Sequence, residues 1–441
     1  MARSRRGGYE SRPLNPMQRH TSERAVILLV AMVQFVNILD FMMVMPMGPD
    51  FAAALGIPLS RLGLIGGSYT LAAMISGLVG SLFLDRFGRR NALLVAMLGL
   101  VVATVLGGLA RGFSTLLLAR VIAGAFGGPA TAVSMSIIAD TVPAERRGKA
   151  MGVVMGAFSL ASVFGVPLGL ELARRGGWRL PFFAVASLGL VATAVGAALL
   201  PPLRGHLARR VFQADGLAGT YRDMPGNAAA AQPSPGTLDL LRRPAVLLTY
   251  AMSVTAMLGG FVLIPNISPY LLHNLGYPRE HLGMLYLCGG VSSFVGLQFA
   301  GRLVDRFGGL RIAAPATVVI VWVVVEGFGR ARPWMPVVAV FVLWMTAMSF
   351  RNVAMQTVAS KVPSPAERAR FMSLQSAVQH GASALGAMVS TLMLTEGPDH
   401  RMVGMPRVAA VTATLFAALP FLLGMVERRQ RALERPPALA G

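Results

Sequence analysis

The string Leu84-Asp85-Arg86-Phe87-Gly88-Arg89-Arg90 returns almost unchanged as Val304-Asp305-Arg306-Phe307-Gly308-Gly309. The two aspartates stand 220 residues apart, about half of this 441-residue chain. The register holds on both sides of the string. Pro49 answers Pro269, Leu55-Gly56 answers Leu275-Gly276, Pro58 answers Pro278, and Leu62-Gly63 answers Leu282-Gly283. Further on, Pro143-Ala144-Glu145-Arg146 is matched by Pro365-Ala366-Glu367-Arg368, with the offset drifted to 222. So long a register marks a tandem duplication. Each copy runs through an apolar segment, a turn carrying Asp-Arg-x-Gly, and further apolar segments.

The composition says what solvent surrounds the copies. A mean hydropathy of +0.61, with 54% hydrophobic and 13% charged residues, leaves too little polar surface for soluble domains. The net charge of +21 would suit nucleic acid if it formed a stripe. Instead the arginines cluster between apolar runs of about 20 residues, the length that crosses a bilayer core, so lipid is the expected partner and nucleic acid is not. The lone Cys288 has no disulfide partner in the chain and is read as a small core residue.

Apolar windows place spans near 25–48, 61–83, 91–110, 115–139, 148–171 and 180–201, then 244–265, 281–304, 312–329, 335–359, 370–394 and 405–426. The expected fold is an all-α membrane protein, with twelve transmembrane helices in two pseudo-symmetric six-helix bundles. The bundles cover 25–202 and 244–426, between a tail at 1–24, a linker at 203–243 and a tail at 427–441. In the linker, the tract from Ala228 to Gly236 lacks apolar periodicity. Alternate connections carry 28 Lys and Arg on one face against 10 on the other. By the positive-inside rule the richer face, with both termini, is cytoplasmic.

Twelve spans in two copies, with Asp-Arg-x-Gly after the second span of each, resemble the major facilitator superfamily. The family's loop reads Gly-x-Leu-x-Asp-Arg-x-Gly-Arg-Arg/Lys. The second copy fits it at Gly301, Leu303, Asp305, Arg306 and Gly308, and the first at Asp85, Arg86, Gly88, Arg89 and Arg90. Read physically, Gly88 supplies the positive φ of a tight reversal, Asp85 faces a helix N-terminus, and Asp140 is the partner for Arg86 or Arg89. The resemblance implies that the loop aspartate sits against the start of the eleventh span, near Arg370 to Ser373, and latches the outward-facing state. Gly309, Ser360 and Lys361 break the pattern in the second copy, so the latch is expected to be mostly an N-half device.

A second motif resembles that of the drug and sugar efflux antiporters, whose fifth span carries Gly-x-x-x-Gly-Pro-x-x-Gly. Here Ala161-Ser162-Val163-Phe164-Gly165-Val166-Pro167-Leu168-Gly169 contains Gly165, Pro167 and Gly169, with a valine between glycine and proline as in arabinose-efflux-like members. Together with Gly152 and Gly156 these glycines form a small-residue face for close helix approach, and Pro167 is expected to kink the span.

Ionisable groups inside spans are candidates for function by default. Asp40 and Arg120 fall at similar depth, about 8–12 Å from the outer end of their spans at 1.5 Å per residue. Burial disfavours a charged carboxylate and a neighbouring guanidinium favours it, which is the property proton coupling needs; a fixed ion pair orienting two helices is the alternative. Gln34, Asn37, Tyr69, Asn266, Gln375, Gln379 and His380 are the candidate substrate-binding residues, with His380 equally readable as a helix-to-helix hydrogen bond. Arg351 suits either an anionic substrate or a helix C-terminus. No metal-ligand spacing, nucleophile triad or phosphate loop appears, so no cofactor and no enzymatic activity are expected. These readings describe a monomeric secondary transporter of a bacterial inner membrane, moving a drug-like compound or a sugar outward against protons. An uptake carrier for a sugar or organic anion, or a receptor that no longer moves solute, is the alternative.

Overall fold

The computed structural model describes residues 22–83, 86–201, 237–330, 334–364, 367–397 and 399–434. Asp85 and the Ala228 to Gly236 tract lie outside them. In a bilayer the backbone must satisfy its own hydrogen bonds, so apolar runs of this length become helices. The N-terminal bundle holds α1 (Glu23–Val44), α2 (Leu62–Phe83), α3 (Arg89–Gly108), α4 (Phe113–Thr141), α5 and α6 (Leu180–Leu199). Helix α5 runs Ala144–Leu160, passes through a π turn at Ala161–Gly165 and continues as Val166–Gly176. The C-terminal bundle holds α7 (Pro244–Leu263), α8 (Leu282–Phe307), α9 (Gly309–Val324, ending in a π turn), α10 (Val337–Ser360), α11 (Arg368–Met393) and α12 (Met405–Ala417, then Leu419–Glu434).

Eleven of these helices are long and apolar enough to cross a membrane. The twelfth, α11, has 26 residues and carries Gln375, Gln379 and His380, which make it the most polar of the set. The chain is an all-α membrane protein of two pseudo-symmetric six-helix bundles. One departure from an all-helical reading is a small antiparallel hairpin between α11 and α12, pairing Thr395 with Val403 and Glu396 with Met402.

The duplication is legible in backbone angles. After α1, a short helix Gly48–Leu55 is capped by Gly56 at φ +63°; after α7, Ile267–His273 leads to Gly276 at φ +65°. Both glycines are left-handed, which an L side chain adopts only with strain. Each half then makes a 3-10 turn after its repeated proline, Leu59–Arg61 and Arg279–His281, before entering α2 or α8.

The bundles meet along α2 with α11 and α5 with α8. The face bearing the Asp-Arg-x-Gly turns is the basic face of the sequence count. The closest approaches lie toward the opposite face, where a Cβ on Gly63 would fall 2.2 Å from the Ala387 carbonyl and one on Gly290 would fall 2.9 Å from that of Ser162. Toward the basic face the packing loosens: a Cβ on Gly77, Gly152, Gly156 or Gly301 would meet nothing within 4 Å. The small-residue face expected along α5 therefore narrows to Gly165, whose Cβ would press on Leu39 at 2.5 Å, while Gly169 makes ordinary contact with Met43.

Two polar links between bundles reinforce the opposite face. Arg279 Nε donates to Asp50 Oδ1 at 2.7 Å, and the Leu59 N–H donates to Glu396 Oε2 at 2.8 Å. Cys288 is exposed on α8, contrary to the expected core position. A membrane helix is surrounded by apolar solvent, so its outer surface accepts a small apolar residue as readily as the core does.

Candidate proton and substrate site

Asp40 near the end of α1 is fully buried. Its Oδ2 accepts from Arg120 Nη1 on α4 at 2.9 Å, and its Oδ1 lies 2.7 Å from the Thr104 hydroxyl of α3. That hydroxyl also reaches the Leu100 carbonyl at 2.8 Å. The Arg120 guanidinium lies over the Tyr69 ring, 4.7 Å from its centroid, leaving Nε without a hydrogen-bond partner among the described residues. Tyr69 donates to Asn37 Oδ1 at 2.8 Å, and the Asn37 amide donates to Thr131 Oγ1 at 2.8 Å and to the Gly127 carbonyl at 3.1 Å. Four candidates, Asp40, Arg120, Asn37 and Tyr69, thus form one network across α1, α2 and α4.

Glycines make the network possible. A Cβ on Gly124 would stand 2.1 Å from the Tyr69 carbonyl, and one on Gly127 would stand 2.3 Å from the Tyr69 hydroxyl. Helix α2 reaches α4 because neither glycine has a side chain.

The remaining candidates do not join it. Gln34 is buried on α1 with its Oε1 unpartnered among the described residues. In the C-terminal bundle, Asn266, in the 3-10 turn that follows α7, donates to the Val262 carbonyl at 3.0 Å, and Gln375 approaches Ser253 at 3.4 Å. Gln379 and His380 are half-buried on α11. Between bundles the connection is aromatic: Phe41 stacks on Tyr69 at 5.1 Å and on Phe261 of α7 at 6.0 Å. Arg351 is fully buried over the Phe416 ring at 4.2 Å and donates to the Asn352 side chain at 3.3 Å. Its Nε and Nη1 have no partner among the described residues.

The gating candidates divide in the same way. Arg89 pairs with Asp140 at 3.2 Å, the partner expected from sequence, whereas Arg86 is exposed and Arg90 donates to the Ala197 carbonyl of α6. Gly88 has φ −61° and ψ 133°, not the expected positive φ, because it serves as the extended N-cap residue of α3. The reversal that needs glycine occurs in the second copy, at Gly308 with φ +91°. There Asp305 and Arg306 are exposed, with Arg306 over the Phe307 ring. The acid at the start of α9 comes from elsewhere: Glu427 of α12 accepts the Leu310 N–H at 2.9 Å. Glu367, in the repeated Pro-Ala-Glu-Arg, pairs with Arg243 at 2.6 Å and accepts the Ser364 hydroxyl at 2.7 Å. Those bonds, led by the one from Ser364, hold its carboxyl below its usual range against a smaller opposing effect of burial. In the efflux motif, the π turn bonds the Val166 N–H to the Ala161 carbonyl just before Pro167 interrupts the helical ladder.

Comparison with known proteins settles the lineage. The family model described as Major Facilitator Superfamily matches residues 30–387 and, in a second match, 249–440. The chain belongs to the major facilitator superfamily. It is therefore a multi-pass transport protein of the bacterial inner membrane, not an enzyme. It is similar to the purine ribonucleoside efflux pump NepI of Salmonella enteritidis PT4 (strain P125109), 27% identical over 374 residues, covering 83% of this chain and 85% of the pump. The inner membrane transport protein YdhP of Escherichia coli (strain K12) is 24% identical over 390 residues, covering 86% and 90%. Among solved structures, the D-xylose-proton symporter superposes with a TM-score of 0.72 over 90% of this chain and 96% of its own, at 17% identity.

Within this superfamily fold, the residues that sequence reasoning missed are the ones without charge or contiguity. Thr104 is a lone threonine in an apolar span, Phe41 and Phe261 read as core, and Glu427 lies on the last helix, 117 residues from the amide it caps.

Proposed function

We propose that this transporter exports a small molecule in exchange for protons, acting as a monomer by alternating access. The observation that carries the reading is the Asp40 and Arg120 pair, fully buried where a lone carboxylate is costly. Protonating Asp40 removes half of the pair and frees the guanidinium, which already rests on Tyr69 and through it touches the Asn37 network. One proton then alters contacts on α1, α2, α3 and α4 together. If the basic face is cytoplasmic, as the positive-inside rule has it, the tight opposite face makes this the inward-facing state. In that reading Asp50, Arg279 and Glu396 close the outer side, and the Arg89 and Asp140 pair belongs to an inner latch that engages the C-terminal bundle when the transporter turns over. Gly165, Pro167 and Gly169 would let α5 shift against α1 and α8. The efflux direction is supported by the similarity to a pump named for efflux. That name adds purine ribonucleosides to drug-like compounds and sugars as candidate substrates, with Gln34, Asn266, Gln375, Gln379 and His380 as candidate contacts.

The test is a pH gradient imposed on inverted vesicles containing the wild type or Asp40→Asn. A compound from a panel of purine ribonucleosides, lipophilic cations and sugars should collapse the gradient only with the wild type. Collapse by Asp40→Asn to the same extent would remove the carboxylate from the mechanism, and acidification on substrate release from loaded vesicles would assign symport instead.

A further inference from the structure

On the basic face, a groove of about 760 Å³ opens between α7 and α12. Leu247, Leu248, Ala251 and Met425 form its walls, and Arg428 and Arg429 stand at its rim. Both arginines are exposed, and neither makes an ion pair among the described residues. The groove sits at the membrane boundary, since Pro244 starts α7 and the apolar stretch of α12 ends at Gln430. The first turn of α7 points its positive dipole end to the same level. Apolar walls continuing into the bilayer, beneath two free guanidinium groups, match one chemistry: an acyl chain joined to an anionic headgroup.

We propose that this groove is a binding site for an anionic phospholipid of the adjoining leaflet. The acyl chain lies along Leu247 and Ala251, and the headgroup phosphate accepts hydrogen bonds from Arg428 and Arg429. Neutral phospholipids fill the same walls without the added attraction of a net negative headgroup.

Native mass spectrometry of the full chain in detergent, titrated with phosphatidylglycerol or phosphatidylcholine of identical acyl chains, tests the assignment. Two surface guanidinium groups predict about thirtyfold tighter retention of phosphatidylglycerol. Arg428→Gln/Arg429→Gln should reduce it to the phosphatidylcholine level. Leu247→Trp, at a side chain 51% exposed and therefore tolerant of size, should weaken both lipids by narrowing the groove. Arg306→Gln/Arg311→Gln removes two charges elsewhere on the same face and should leave the preference intact. Equal retention of the two lipids, an equal loss in the Arg306 and Arg311 variant, or indifference to Leu247→Trp would each overturn the site.

Discussion

In the N-terminal bundle Arg120 lies 2.9 Å from a carboxylate, while in the C-terminal bundle Arg351, just as buried, has none beside it among the described residues. The repeat offset makes the contrast sharper. Asp40 corresponds to Gly260, and Arg351 corresponds to Thr131, which accepts from Asn37. Each half therefore carries charge where its twin has a neutral residue. What the halves share is backbone: the left-handed Gly56 and Gly276, the repeated prolines, and the 3-10 turns that open α2 and α8. Duplication preserved the frame, and the chemistry was written onto one copy at a time.

The largest effects should come from breaking the N-terminal pair. Asp40→Asn strands Arg120 in the bundle, which costs about 3–5 kcal/mol of stability, and it should also abolish gradient-driven transport. Asp40→Asn/Arg120→Met should recover most of the stability and none of the transport, because it removes the stranded charge along with the carboxylate proposed to carry the proton. In the C-terminal bundle Arg351→Met strands no counter-charge among the described residues, so its stability should stay within about 1 kcal/mol of the wild type or rise. Thermal unfolding in detergent ranks all three variants. A loss for Arg351→Met as large as for Asp40→Asn would mean that the C-terminal cation has a counter-charge after all, and the contrast between halves would fail.

Next comes the packing that brings α2 to α4. Gly124→Ala places a methyl 2.1 Å from a backbone carbonyl that cannot rotate away, and should cost about 1–3 kcal/mol while disturbing Tyr69. Gly301→Ala in α8 meets open space and should stabilise the helix by about 0.5–1 kcal/mol. The same unfolding measurement decides, and equal effects would refute the contrast between a packed Gly124 and an open Gly301.

The two copies of the loop differ by a smaller amount. Gly308, at φ 91° and ψ 158°, occupies a region nearly closed to L residues, so Gly308→Ala should cost about 1–3 kcal/mol. Gly88 is extended at φ −61°, and Gly88→Ala should change stability by less than about 0.5 kcal/mol. If Gly88→Ala proves the costlier substitution, the loop carries a tight contact beyond its backbone angles.

The repeat, the apolar windows and the pairing of Asp40 with Arg120 and of Arg89 with Asp140 were legible in the sequence. The first two are periodic along the chain, Asp40 is a carboxylate costly to bury alone, and Arg89 and Asp140 are opposite charges at the ends of neighbouring spans. Thr104, Phe41 and Glu427 were not, because a neutral hydroxyl, a ring and a surface acid look like their neighbours until folding brings distant helices together. Gly88 misled for a related reason: the same Asp-Arg-Phe-Gly string occurs in both copies, yet only Gly308 leads into a helix that needs the reversal. The hairpin at Thr395 to Val403 was hidden because two residues per strand leave no period to read.

The hairpin supplies the finest distinction, since through it the C-terminal bundle holds the N-terminal one. Asn274 fixes the hairpin by accepting the Met402 N–H and donating to its carbonyl, each at 2.9 Å, and Glu396 then accepts the Leu59 N–H across the interface. Burial pushes the Glu396 carboxyl up, but the bonds from His400 and Leu59 outweigh it and hold the group below its usual range. A carboxyl depressed in the closed form stabilises closure above its ordinary value near about pH 4.3, and that contribution is lost as pH falls through the depressed value. Spin labels on Ala54→Cys and Glu280→Cys, in a Cys288→Ser background, should therefore report one short distance from about pH 8 down to about pH 5. A longer population should appear only in stronger acid. Glu396→Ala should show that population at every pH, shifting the balance by about 1 kcal/mol or less because Arg279 and Asp50 still join the bundles. An opening that Glu396→Ala leaves unchanged at every pH would instead make the carboxylate a bystander to the neighbouring rings of His400 and His273, which lie 6.3 Å apart.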